Sequence, residues 1–260
     1  MWSIYGNPGY LPLLEMSVGS SNIISPNIDK IILTDKSLNV QIDNCKIEKT
    51  SFFGSNASKM SLRYEFASSL LDNYDYVLHI DSDALIFKDI SNIYVDKPKG
   101  LSLASEYSSE QNSFKKGDGI QNYSSENCWA GPLLEDDEID SFRSVPSLCM
   151  GVWLSGKEDK ITLKNIRSEV IKREDSGFAG ICVDQHAAVY RLVKDNSWNT
   201  HLQKHVTHLG NKINNQNDIN DLYDSCHSIC HFAGGVQPNI TKFNAMNLLI
   251  KEIERRKSNE

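Results

Sequence analysis

Apolar and polar blocks alternate along the first third of the chain with the spacing of strands and helices. Ser3 to Gly6 reads as a short strand, and Leu11 to Ser20 as a helix with apolar residues at helical spacing. Lys30-Ile31-Ile32-Leu33-Thr34 is a compact β-branched run ending at Asp35, the signature of a strand buried in a parallel sheet. Ser58 is placed to cap a helix running through Leu71, because Met60, Leu62, Phe66, Leu70 and Leu71 line one side. Tyr76-Val77-Leu78-His79-Ile80 is again strand-like and stops at Asp81-Ser82-Asp83. This alternation predicts an α/β fold with a mostly parallel central sheet flanked by helices.

Between residues 105 and 146 the periodicity dissolves into Ser, Asn, Gly and charge, including Glu135-Asp136-Asp137-Glu138. Such a stretch inside a compact domain is expected to be a polar insertion, a loop or lid beside an acceptor site. Order returns at Leu148 to Leu154, then in helices near Ile161 to Lys172 and Asp184 to Leu192. Ser228 to Phe232 reads as a final strand, and Thr241 to Arg256 as a helix leading into a basic tail. A single domain over 1–260 accommodates these elements, with 241–260 as its C-terminal helix and tail.

Composition narrows the function classes. The chain has 260 residues, with 34 acidic against 27 basic side chains and a net charge of −7. That balance disfavours a nucleic-acid partner, which needs a positive surface. No apolar run approaches the roughly 18 residues of a transmembrane segment. The start, Met1-Trp2-Ser3-Ile4-Tyr5-Gly6-Asn7-Pro8, lacks the positive flank and apolar run of a secretory signal, so a cytoplasmic location is expected. The six cysteines are scattered, as in a chain that keeps its thiols reduced. Neither Cys226-His227-Ser228-Ile229-Cys230-His231 nor the trio His201, His205 and His208 has the spacing of a zinc site. Buried thiols and surface histidines are the preferred reading of both.

The most informative segment is Asp81-Ser82-Asp83, two carboxylates one residue apart where an apolar strand runs out. Ligands of open α/β sheets bind at the carboxyl ends of strands. Two like charges there raise each other's pKa unless a cation lies between them, and a hard divalent ion with oxygen ligands answers that need. Such an ion can bridge a diphosphate and neutralise its charge as it leaves. The plainer alternative is a loop in which both aspartates cap the following turn.

The pattern as a whole resembles the nucleotide-sugar-dependent glycosyltransferases of the GT-A fold. It is most similar to the family of glycogenin and bacterial lipopolysaccharide galactosyltransferases, and to the xyloglucan xylosyltransferases. Asp81-Ser82-Asp83 matches their Asp-x-Asp signature, and Lys59 to Leu71 resembles the preceding helix, with Arg63 or else Lys59 facing the donor. Met150-Gly151-Val152-Trp153-Leu154 resembles their Asn-x-Gly-Val-x-Leu strand, with Cys149 in place of the Asn. Asp184-Gln185 resembles the pair beside the reacting sugar, and His231 to Pro238 the C-terminal His-x-x-Gly-x-x-Lys-Pro block. In that last block Gln237 replaces the lysine that pairs with the diphosphate, and Asn239 the following tryptophan; Lys242 and Arg63 are the substitutes at hand.

The resemblance implies a single GT-A domain and a retaining, metal-dependent glycosyltransferase using a UDP-sugar donor and a glycan or glycoconjugate acceptor. Asp81, Asp83 and His231 would hold Mn²⁺, or Mg²⁺, with imidazole favouring Mn²⁺. Asp184 and Gln185 would be catalytic, orienting the sugar. Tyr5 would stack on the base, with Arg63, Lys59, Asp81, Ser82, Gly234 and Gln237 completing the donor site. Tyr107 and Trp129, in the polar insertion, are candidates to stack on an acceptor sugar. Two other readings use the same residues: a GT-A-like sugar- or partner-binding module with a decayed site, and a metal-dependent phosphatase in which the first aspartate is the nucleophile.

Overall fold

The computed structural model describes residues 1–51, 55–105, 130, 133–135, 137–142, 145–178, 183–208, 219–220, 227–232 and 240–259. Its strands in chain order are β1 (Trp2–Ile4), β2 (Ile31–Asp35), β3 (Lys46–Thr50), β4 (Tyr76–Ile80), β5 (Ala84–Ile86), β6 (Leu101–Ser105), β7 (Leu148–Gly156), β8 (Trp198–Asn199), β9 (Val206–His208) and β10 (Ile229–His231). The helices are α1 (Leu11–Ile24), α2 (Asn56–Leu70), α3 (Ile139–Phe142), α4 (Lys160–Asp175), α5 (Val183–Lys194) and α6 (Ile240–Lys257). Among them no helix is long and apolar enough to cross a membrane. The chain divides into two compact units: Met1–Phe52, His79–Asp96 and Gln203–Glu260 in the first, Phe53–Leu78 and Lys97–Leu202 in the second.

In the first unit β1, β2 and β3 form a parallel sheet, with Trp2 opposite Ile32 and Leu33 opposite Glu48. The apolar residues of β2 are buried, as its unbroken hydrophobic run requires, whereas β3 carries Lys46, Glu48 and Lys49 along the sheet edge. Such charges protect an edge from pairing with other chains. Helix α1 has Pro in its first turn and runs to Ile24, beyond the expected end at Ser20. Its buried face includes Ser17, Ser20 and Ser21, small residues that admit close backbone approach. Ser17 Oγ accepts from Trp2 Nε1 at 2.8 Å, and Ser20 Oγ accepts from the Ile86 N–H at 2.9 Å. Leu13, Leu85, Phe87, Cys230, Phe232, Met246 and Leu249 form the core between α1, β5, β10 and α6.

The second unit holds β6, β7, β8 and the first three residues of β4, in a sheet ordered β4-β7-β6-β8. Strands β6 and β7 are antiparallel with a register shift between Leu103 and Ala104, and β6 and β8 are parallel. All nine residues of β7 are buried. The ladders are thus partly antiparallel where pure alternation predicts parallel pairs, because β6 and β7 are not joined by a βαβ crossover. Helices α2, α4 and α5 pack against one another, and Tyr64 of α2 stacks on Trp153 of β7 with centroids 5.8 Å apart. The cap of α2 is Ser55, not Ser58: the extended Ser55 accepts the Ser58 N–H on its hydroxyl, and Ser58 lies inside the first turn.

Candidate functional site

Asp81, Ser82 and Asp83 form the turn between β4 and β5, closed by the Ala84 N–H donating to the Asp81 carbonyl at 3.2 Å. What stands beside that turn follows from strand register. β10 runs antiparallel to β5 with His231 opposite Ala84, and the Phe232 N–H donates to the Asp83 carbonyl at 2.9 Å. β10 also runs parallel to β9 with His231 opposite His208. Two pairings therefore bring Asp83, His231 and His208 into one row from three separate stretches of chain.

His231 Nε2 lies 3.3 Å from Asp83 Oδ1, and ligand atoms of Asp81, Asp83 and His231 all lie within 4.8 Å of one another. Two carboxylates and an imidazole form a donor set that suits a divalent ion accepting mixed oxygen and nitrogen ligation, Mn²⁺ better than Mg²⁺. The His231 ring is anchored on its other side, where Nδ1 lies 3.1 Å from His208 Nδ1. Burial, and then the charge of His231, pushes His208 down to about 3, so its ring is neutral. A partner behind a metal-binding histidine fixes the direction of its ring. Asp81 Oδ1 lies 3.1 Å from Nε2 of the fully buried His79.

Asp83 has a further partner. Lys242, on the first turn of α6 and only 2% exposed, donates from Nζ to Asp83 Oδ2 at 2.6 Å. Burial alone would raise the Asp83 carboxyl, but the hydrogen bond and charge of His231, together with Lys242, hold it well below the usual carboxylate range.

Other predicted residues cluster in the second unit. Arg63 Nη2 donates to Asp184 Oδ2 at 2.8 Å and to the Tyr64 hydroxyl at 3.1 Å, and the Arg63 and Asp184 side chains are 4% and 2% exposed. Gln185 has a buried Nε2 with no hydrogen-bond partner among the described residues. Lys59 is half-buried in the first turn of α2. In the first unit, Tyr5 follows β1 and its carbonyl accepts the Asn7 N–H at 3.1 Å, while Ser82 is half-buried between the two aspartates. Gly234, Gln237, Tyr107 and Trp129 lie outside the described residues, as does most of the 105–146 insertion.

Sequence reasoning gave no function to His79 and did not connect His208 with His231. His79 carried a signal: it sits two residues before Asp81 on an otherwise apolar strand. His208 had none, since only the β9–β10 register brings it to His231.

These elements make up the GT-A glycosyltransferase fold, an α/β architecture of sheets flanked by helices. The solved structure of galactosyltransferase LgtC in complex with donor and acceptor sugar analogs matches 100% of this chain over 96% of its own, with a TM-score of 0.55 and 13% sequence identity. No family model matches the chain, and no curated protein does either.

Proposed function

We propose that this chain is a metal-dependent glycosyltransferase that moves a sugar from a nucleoside diphosphate sugar, a UDP-sugar, to a hydroxyl of a glycan or glycoconjugate. The observation that carries this reading is the convergence of Asp81, Asp83 and His231 within 4.8 Å at the end of β4. The GT-A fold supports it, since ligands of such sheets bind at strand carboxyl ends. The collinear sequence blocks further support kinship with the glycogenin and lipopolysaccharide galactosyltransferase family, and hence retention of anomeric configuration. Residues 1–260 act as one catalytic domain in this reading.

Asp81 and Asp83 hold the ion, Mn²⁺ in preference to Mg²⁺, and His231 closes the ligand set through Nε2. A divalent ion held there supplies charge neutralisation for the departing diphosphate. Asp184 and Gln185 orient the donor sugar, and the unsatisfied Gln185 amide is a donor available for a sugar hydroxyl. Arg63, paired to Asp184, fixes the direction of that carboxylate rather than neutralising phosphate. Tyr5 stacks on the base, while Lys59, Ser82, Gly234 and Gln237 contribute hydrogen bonds to the donor. With retention, the leaving phosphate oxygen takes the acceptor proton and no side chain serves as base.

Thermal denaturation with UDP and Mn²⁺ tests the reading. UDP with Mn²⁺ at about a hundred times its Kd stabilises the wild type by about 2.7 kcal/mol. Asp83→Asn loses that stabilisation and sugar transfer together while its circular dichroism stays native; equal stabilisation of the variant contradicts the metal assignment. The Lys242–Asp83 ion pair favours one second reading, a GT-A-like module that binds a sugar or partner without turnover. Mn²⁺-dependent hydrolysis of a UDP-sugar without acceptor excludes that module.

A further inference from the structure

Lys242 stands where a cation is least expected. It lies in the first turn of α6, near the positive end of the helix dipole, and its side chain is 2% exposed. Both the dipole and the loss of hydration disfavour an ammonium there. Asp83 offsets that cost through the 2.6 Å contact, and α6 is itself held in the core through Met246, Leu249 and Ile253. The carboxylate thus has Oδ1 turned to His231 and Oδ2 turned to Lys242.

We propose that Lys242 is a tethered counter-ion that competes with the divalent metal for Asp83 and thereby couples metal binding to diphosphate binding. This rests on the glycosyltransferase reading above. Asp83 can offer Oδ1 to a dication beside His231, but the ammonium on Oδ2 then stands across a single carboxylate from it. A dication alone therefore binds against that buried positive charge and drives the ammonium from Asp83. A nucleoside diphosphate changes the balance, because its phosphates offer the released ammonium new acceptors at the end of a flexible four-carbon stem. Metal and diphosphate then bind weakly apart and tightly together, and linkage requires each to raise the affinity of the other by the same factor. Gln237, a neutral amide where related sequences carry a lysine, makes this second duty of Lys242 the more useful.

Mn²⁺ binding to the full chain, followed by the paramagnetic resonance signal of the free ion with and without UDP, reads the coupling directly. Lys242→Met keeps the length of the side chain and removes its charge. The variant is expected to bind Mn²⁺ alone about tenfold tighter than the wild type, and the gain in Mn²⁺ affinity from UDP is expected to shrink by a similar factor. A variant that binds Mn²⁺ no tighter than a wild type that does bind it overturns the competition. Failure of both proteins to bind Mn²⁺, with or without UDP, overturns the metal reading beneath it. A wild-type measurement needs no folded variant: reductive methylation of Lys242, followed by mass spectrometry, should be slow in the free protein, faster with Mg²⁺ and slow again with Mg²⁺ and UDP. A rate unchanged by saturating Mg²⁺ overturns the proposal.

Discussion

Replacing Asp184 by Asn should destabilise the second unit far more than a surface charge change would. The Arg63 guanidinium donates to Asp184 at 2.8 Å, and the two side chains are 4% and 2% exposed, so the pair has almost no contact with solvent. Removing one charge leaves the other buried without compensation, which costs about 3–5 kcal/mol. Against a total stability of about 5–15 kcal/mol, that is a large share. At roughly 2–4 °C per kcal/mol for a chain of this size, the melting temperature should fall by about 10 °C. Arg63→Met should cost a similar amount by orphaning the carboxylate. The double variant Arg63→Met/Asp184→Asn should cost about 2 kcal/mol less than the sum of the two single losses, a coupling read in a urea-denaturation cycle. Additive losses, or single losses below about 1 kcal/mol, would refute the buried pair as described. The cycle also isolates catalysis, since a loss of turnover larger than the folded fraction explains assigns Asp184 a direct part in the reaction.

Acid should weaken the fold through His208. Its folded value of about 3 lies below the ordinary 6.5, so between these limits the unfolded chain binds a proton that the native chain does not. Stability from this group is complete above about pH 6.5 and falls as pH drops toward 3, by up to about 1.4 kcal/mol per unit. His208→Asn should flatten that slope in urea midpoints measured across the window, and an unchanged slope would contradict the burial argument. Gly100 has φ +91°, and a Cβ there would meet the Ser197 carbonyl carbon at 2.7 Å. Gly100→Ala should therefore cost about 1–3 kcal/mol and lower the melting temperature, whereas a neutral result would mean that the β6–β8 junction yields.

The sequence makes the Asp-x-Asp turn legible because β4 is an apolar run interrupted only by His79, and polar residues just past such a run mark a strand end. β2, β7 and β10 are legible for the same reason. β3 is not, since Lys46-Ile47-Glu48-Lys49-Thr50 is an edge strand with a single large apolar residue to signal it. β6 is not either: Leu101-Ser102-Leu103-Ala104-Ser105 is buried throughout, but its serines interrupt the apolar run. The cap of α2 moves by three residues because Ser55 and Ser58 are equally good caps by type, and only backbone geometry chooses between them. His231 was legible as a ligand through its motif. The long-range ion pairs within each unit were not legible: Lys242 meets Asp83 across 159 positions, and Arg63 meets Asp184 across 121. Such pairings depend on helix packing and strand register, which local periodicity does not encode.

Anomalous diffraction at the manganese edge from crystals grown with Mn²⁺ and UDP tests the central claim most directly. The account predicts a single strong peak ligated by Asp81, Asp83 and His231 Nε2, with UDP phosphate oxygens on its open side and Lys242 turned from Asp83 toward them. Nucleotide bound with no peak at that turn, and Lys242 still on Asp83, would contradict it.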